Sequence, residues 1–183
     1  MKPSEFSSKT SEIIKKIIEN TFEKGHVDVI LGGPEIGSKL LDFNWDYIFF
    51  TGSTNIGKIV AQKAAINLTP TTLELGGKNP CIIDETANLK VASKRIVFGK
   101  FLNCGQTCIA PDFILVHESV KEDFTEKIIE RIKKIYNEDV ENSENYSRII
   151  NKKHYSRLIK FLDKDKIIYG GKNNPNSNFI EPT

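Results

Sequence analysis

The segment from Asp46 to Leu75 constrains the fold most. Asp46-Tyr47-Ile48-Phe49-Phe50 is a short apolar run suited to a buried strand, and Thr51-Gly52-Ser53-Thr54-Asn55-Ile56-Gly57 is a glycine turn. Ile59, Val60, Ala64 and Ala65 then recur at helical spacing, Leu68-Thr69-Pro70 breaks the pattern, and residues 71–75 are extended again. Strand, glycine turn, helix and strand in that order specify an α/β chain. The turn also gathers backbone N–H groups at a helix N-terminus, a favourable place for an anion such as a pyrophosphate. Its Gly-x-x-x-x-Gly spacing is not the three-glycine dinucleotide fingerprint, and by pattern alone a plain strand-to-helix turn suffices.

The same alternation runs through the rest of the chain. Residues 1–6 read as a turn feeding an amphipathic helix with Ile13, Ile14, Ile17 and Ile18, and Val27-Asp28-Val29-Ile30-Leu31 reads as a strand closed by Gly32-Gly33-Pro34. After a short helix and the Asp46–Leu75 segment come a strand at 80–84, a helix from about 89 to 102, a strand at 113–116 and a helix over 119–136. A loop is expected at 137–147, a helix at 152–162, a strand at 166–169 closed by Gly170-Gly171, and a polar, turn-rich tail from 172 to 183. At 183 residues, 39% hydrophobic and 27% charged, the chain can bury one core or parts of two. Lys and Arg total 26 against 24 for Asp and Glu, a balance that argues against nucleic acid or a membrane surface and for a small-molecule partner. No run is long and apolar enough to span a bilayer. Three cysteines without a secreted spacing pattern, and no N-terminal hydrophobic segment, point to a reducing, cytoplasmic setting.

Two stretches carry chemistry. In Phe101-Leu102-Asn103-Cys104-Gly105-Gln106-Thr107-Cys108-Ile109-Ala110-Pro111-Asp112, Cys108 sits between a Gly-Gln turn and a small apolar run, as a presented nucleophile would. A thiolate makes a thioester that water can later open, so it suits chemistry through an acyl intermediate, given a local device that favours the thiolate. The bland alternative is a buried, inert cysteine. Cys104 and Cys108 are spaced to share a helical face, but without a neighbouring His or a third Cys they make no zinc site. Upstream, Leu73-Glu74-Leu75-Gly76-Gly77-Lys78-Asn79-Pro80 sets Glu74 inside an apolar run ahead of two glycines. In an extended segment Glu74 faces away from Leu73 and Leu75, and partial burial would raise its pKa toward that of a general base. The glycines permit close backbone approach to a ligand or an unusual φ. Alone, Glu74 is also readable as a solvated strand residue. Cys81 is most simply a core residue, and His154 lies in a basic, exposed helical context.

Together, Leu-Thr-Pro-x-Thr-Leu-Glu-Leu-Gly-Gly-Lys and Asn-Cys-Gly-Gln-Thr-Cys-Ile-Ala-Pro-Asp resemble the paired active-site signatures of the aldehyde dehydrogenase superfamily, and look most like its class 3 or fatty-aldehyde branch. The resemblance implies a partial Rossmann-like NAD-binding domain over residues 1–76 and part of an α/β catalytic domain over 77–183. It implies Cys108 as nucleophile and Glu74 as the base that activates water on the thioester. Phe-Thr-Gly-Ser-x-x-x-Gly is similar to the family's cofactor loop, which brings in Gly52, Ser53 and Gly57, with Gly76 beside them. Lys2-Pro3-Ser4-Glu5 is similar to the turn whose lysine and glutamate reach the adenosine ribose, so Lys2 and Glu5 are implied ribose contacts. A glutamate there disfavours a 2′-phosphate, which favours NAD with NADP possible. The implied substrate is an aldehyde and the implied full-length assembly a homodimer. The resemblance covers only a central block of the family's length, so the chain alone is expected to be inactive and marginally stable. The alternative is a non-catalytic remnant or a nucleotide- or subunit-binding module.

Overall fold

Strand formation follows the apolar runs wherever a partner segment lies alongside. The computed structural model describes residues 1–183 and divides into two units, Met1–Gly76 and Gly77–Thr183. In the first, a single 3-10 turn at Glu5–Ser7, capped by the Ser4 hydroxyl accepting from the Phe6 N–H, leads into helix α1 (Ser8–Thr21). Helix α2 (Pro34–Leu40) starts with proline in its first turn, where no N–H is needed. Strand β1 (Ile48–Thr51), helix α3 (Thr54–Ile66) and strand β2 (Thr71–Glu74) form a βαβ unit, the strands parallel with Ile48 opposite Thr71 and Thr51 opposite Glu74. Val29, Val60 and Ala64 are buried there, a thin core. The apolar stripe of α1 is only partly covered: Ile14 and Ile18 are half-buried, Ile13 and Ile17 are more than half exposed, and the buried residue of that helix is Ser11.

The second unit repeats the arrangement with a fuller core. Strand β3 (Asn79–Ile83) pairs in parallel with β4 (Pro111–Val116), and helix α4 (Leu89–Phe101), capped by Asn88 accepting from the Val91 N–H, connects them. Helix α5 (Lys121–Tyr136) follows a 3-10 turn and packs on α4. Ile83, Ile96 and Phe124 form one buried cluster with Cys81 against it, and Val97, Ile132, Tyr136, Val140, Tyr146 and Phe179 form another. Tyr136, Tyr146 and Phe179 meet edge-to-face at centroid separations of 5.0 and 6.1 Å, the arrangement that ring quadrupoles favour. Helix α6 (Lys152–Ile159) is capped by Asn151, with Tyr155 buried and His154 exposed.

Two expected strands are absent, and two expected irregular segments take part in the core. Residues 27–31 form no strand; the Met1 ammonium donates to the Asp28 carbonyl at 2.6 Å and the Met1 carbonyl accepts from the Ile30 N–H at 2.9 Å. Residues 166–169 also form no strand, for a 3-10 turn at Lys164–Lys166 capped by Asp163 leads into bends. Residues 137–147 have no regular structure yet send Val140 and Tyr146 into the core. The tail is a hairpin of β5 (Asn173–Asn174) and β6 (Phe179–Ile180), with Phe179, Glu181 and Pro182 buried. Its polar composition hides three buried residues that local pattern cannot reveal.

Gly170 anchors this tail. It holds φ at +80°, and a Cβ there would fall on the Pro182 carbonyl. A left-handed conformation costs an ordinary residue about 1–2 kcal/mol, and backbone overlap adds to it. Gly170→Ala is therefore expected to lower unfolding stability by about 2 kcal/mol or more, read from the urea midpoint; an unchanged midpoint would show that the hairpin docks elsewhere.

Candidate functional site

In the first unit the candidate residues collect at the carboxyl ends of β1 and β2. The ladder continues one residue past β1, where the Gly52 N–H donates to the Glu74 carbonyl at 3.0 Å, so the glycine loop and the candidate base are neighbours. The Ser53 hydroxyl caps α3 by accepting from the Ile56 N–H at 3.4 Å, and the Ser53 carbonyl accepts from Gly57 at 2.8 Å. Gly52, Ile56 and Gly57 thus spend their N–H groups inside the fold, while the first-turn amides of Thr54 and Asn55 have no partner in the chain. Those two amides, which the sequence reading did not single out, are the free donors at the positive end of the helix. A capping serine one position before the first helical residue is the signal that could have indicated them.

Gly57 is buried for packing. A Cβ there would lie 2.7 Å from the Leu75 Cδ2 atom, so its absence lets the first turn of α3 close onto the residue next to Glu74. Of the two properties such glycines permit, Gly76 offers close approach, with open space where a Cβ would stand, and neither Gly76 nor Gly77 takes a left-handed φ. Glu74 is exposed at the end of β2, so the partial burial expected of it is not there. Lys2 and Glu5 are turned to each other, Nζ to Oε2 at 3.3 Å. The Glu5 carboxyl lies below the usual carboxylate range, chiefly through a backbone hydrogen bond and also through Lys2. The Lys2 stem passes over Gly37, 3.6 Å from where a Cβ would stand.

In the second unit the cysteine stretch is irregular rather than helical, so the idea that Cys104 and Cys108 share a helical face fails. Asn103, Cys104 and Gly105 take φ values of +51°, +57° and +75° in succession. Asparagine and glycine tolerate this region; for Cys104 it costs about 1–2 kcal/mol. Gln106 offsets that strain. Its Nε2 donates to the Asn103 and Arg148 carbonyls, both at 3.0 Å, and its Oε1 accepts from the Ile150 N–H at 3.0 Å. Three such bonds contribute about 3 kcal/mol, enough to hold the left-handed turn. The same turn drives Cys104 inward against the aromatic cluster, where its thiol donates to the Tyr146 hydroxyl at 3.2 Å and Tyr146 donates to the Ile180 carbonyl at 3.0 Å. Burial pushes the Cys104 thiol and the Tyr146 phenol both above their ordinary values.

Cys108 has the opposite surroundings. The Ala110 N–H donates to the Thr107 carbonyl at 3.2 Å, closing a tight turn with Cys108 and Ile109 at its exposed tip. At the second position of such a turn a residue's own N–H is not used by the turn bond, so Cys108 offers a thiol and an amide on one exposed residue. Asn79 donates from Nδ2 to the Cys108 carbonyl at 2.7 Å and to the Ala110 carbonyl at 3.0 Å. Lys78 pairs with Asp112 at 3.1 Å. Glu74 belongs to the first unit and Cys108 to the second. No group of three or more His, Cys, Asp or Glu side chains is placed to hold a metal ion.

A model of the aldehyde dehydrogenase family matches residues 1–183. The 4,4'-diaponeurosporen-aldehyde dehydrogenase of Staphylococcus aureus is 49% identical over the whole chain, which spans 40% of that protein. The dimeric, NADP-preferring aldehyde dehydrogenase of Mus musculus is 44% identical, with the same 40% spanned. The solved substrate-bound state of Staphylococcus aureus AldH superposes with a TM-score of 0.92 at 49% identity, covering 99% of this chain and 40% of that one. The chain thus spans about two fifths of the length of these relatives, and its α/β fold is theirs.

The two cysteines of the stretch should separate in reactivity. Brief, substoichiometric iodoacetamide near pH 8 is expected to modify Cys108 ahead of Cys104 by about tenfold or more, since the thiolate is the reacting form and burial withholds it at Cys104. Cys104 labelling should rise with pH or on unfolding. Peptide mass mapping decides, and Cys104 reacting first would reverse the assignment.

Proposed function

The chain belongs to the aldehyde dehydrogenase family, and from that premise we propose that it carries the nucleophile, the base and part of the dinucleotide site of an enzyme that oxidises an aldehyde to a carboxylic acid. The observation that carries the reading is the exposed turn at Thr107–Ala110, which offers the Cys108 thiol and amide together. The Cys108 thiolate adds to the aldehyde carbon, and the Cys108 N–H donates to the oxygen as it becomes an alkoxide, a contact worth about 3 kcal/mol in the transition state. A nicotinamide dinucleotide, when bound, supplies the acceptor for the hydride that leaves this carbon. Collapse of the alkoxide leaves a thioester on Cys108. Glu74 takes a proton from water, the hydroxide adds to the thioester carbonyl, and the Cys108 thiolate departs from the acid.

The residues of Met1–Gly76 suit a dinucleotide. The unpartnered Thr54 and Asn55 amides at the start of α3, beside the carboxyl ends of two parallel strands, fit a pyrophosphate. Gly52, Ser53 and Gly57 shape that corner, Gly76 leaves open space two residues beyond Glu74, and Lys2 and Glu5 would hold the adenosine ribose. The Glu5 carboxylate favours NAD over NADP by repelling a 2′-phosphate. We assign residues 1–76 to cofactor binding and 77–183 to the nucleophile. A homodimer in a cytoplasmic setting completes the proposal.

A non-catalytic module is the second reading, and apolar exposure favours it for the chain by itself. Phe49 at 66%, Ile66 at 73% and Ile82 at 72% exposed leave wide faces uncovered, a liability for association. NADH formation by the 183-residue chain with a medium-chain aldehyde separates the readings; no turnover is expected, and turnover near 1 per second or faster would show the chain to be self-sufficient.

The roles of the pair separate in a chimera with this chain replacing the matching segment of the Staphylococcus aureus relative. Glu74→Gln is expected to give a burst of about one NADH per site and then turnover slowed by about a hundredfold or more, since general-base catalysis contributes roughly that much. Steady-state turnover equal to the parent would remove Glu74 from the mechanism, and loss of the burst would place it before the thioester.

A further inference from the structure

The side chain nearest to governing Cys108 is a neutral amide from the neighbouring strand. Pro80 and Pro111 stand at the mouth of the β3–β4 pair, and neither has an N–H to contribute to the ladder. The register shifts there too: Asn79 is opposite Pro111 but Pro80 is opposite Phe113, leaving Asp112 as the extra residue of a bulge. Bulges re-aim side chains. The consequence here is that Asn79, half-buried on β3, reaches across with Nδ2 to the Cys108 carbonyl at 2.7 Å and the Ala110 carbonyl at 3.0 Å. These are the second and fourth residues of the turn that presents the thiol.

We propose that Asn79 is a positioning residue for Cys108: by donating to both carbonyls it fixes the turn and turns two carbonyl dipoles away from the sulfur, so that the thiolate is less opposed. The inference rests on the reading of Cys108 as nucleophile. Gln106 plays a different part, since its bonds go to Asn103, Arg148 and Ile150 and hold the left-handed turn that precedes Thr107. The charged residues that adjoin Asn79 and Pro111 in sequence, Lys78 and Asp112, pair with each other at 3.1 Å.

Alkylation of the full chain tests this without turnover, so the outcome is independent of whether the dehydrogenase mechanism holds. Iodoacetamide rates at Cys108 are mapped by mass from pH 6 to 10 for the parent, Asn79→Asp and Asn79→Ser, with Cys104, half-buried against the aromatic cluster, as the internal report on folding when its labelling in a variant is compared with the parent at the same pH. Asn79→Asp removes the donors and adds a negative charge beside the same carbonyls, and the Cys108 profile is expected to move up by about one pH unit, slowing labelling about tenfold below the midpoint. Asn79→Ser, with one short donor, should move it by less in the same direction. Superimposable profiles in a variant whose Cys104 stays protected would overturn the proposal. If Asn79→Asp unmasks Cys104, the Asn79→Ser profile decides by the same criterion; Cys104 unmasked in both variants would also overturn it, because Asn79 would then be a residue of general stability.

Discussion

Backbone that cannot donate a hydrogen bond sets the local architecture around Cys108. With proline at 80 and at 111, the β3–β4 ladder loses two N–H groups where the chain leaves the cysteine stretch. Carbonyls of the preceding turn need another donor, and the Asn79 carboxamide is within 3.0 Å of two of them. A proline pair that looks like a defect in a sheet thereby ties Cys108 to a rigid strand, whose far end is buried at Ile83 under α4 and α5. Sites supported by strands hold their geometry better than sites carried by free loops.

Two cysteines four positions apart meet opposite fates because three successive left-handed residues lie between α4 and the turn. Reversal of hand at Asn103, Cys104 and Gly105 sends the Cys104 side chain toward Tyr146, where the thiol is partnered and kept neutral, and leaves Cys108 outside. The strain at Cys104 is small beside the bonds of Gln106 and the packing of the aromatic cluster, which extends to Phe179 in the tail hairpin. The Gly-Gln pair is therefore a structural device: glycine completes the reversed turn and glutamine fastens it to residues 148–150.

In Met1–Gly76 the comparable device is the parallel β1–β2 pair. Its last rung, Gly52 N–H to Glu74 carbonyl, ties the glycine loop to the strand that carries the Glu74 carboxylate. Gly57 lets α3 settle on Leu75, so the helix N-terminus and Glu74 cannot be displaced independently. The core of this unit is thin, with Val29, Val60 and Ala64 buried and much apolar surface exposed.

The sequence alone determined the alternation of strand, glycine turn and helix, the four principal strands, the long helices and the motifs around Glu74 and Cys108, because each depends on contacts within a few residues or on a family pattern. It could not decide which extended runs become strands. Residues 27–31 and 166–169 have the right composition, but a strand exists only where another segment supplies a ladder. Nor could it show that Tyr146 and Phe179, from an irregular segment and a polar tail, close the core around Cys104, or that Thr54 and Asn55 rather than Gly52 keep free amides. Above all it gave no sign that Asn79 is bonded to the turn of Cys108, since that contact spans 29 residues and arises from a register shift between strands. Tertiary structure decided these points because hydrogen-bond partners far apart in sequence are set by register and packing, which no local pattern encodes.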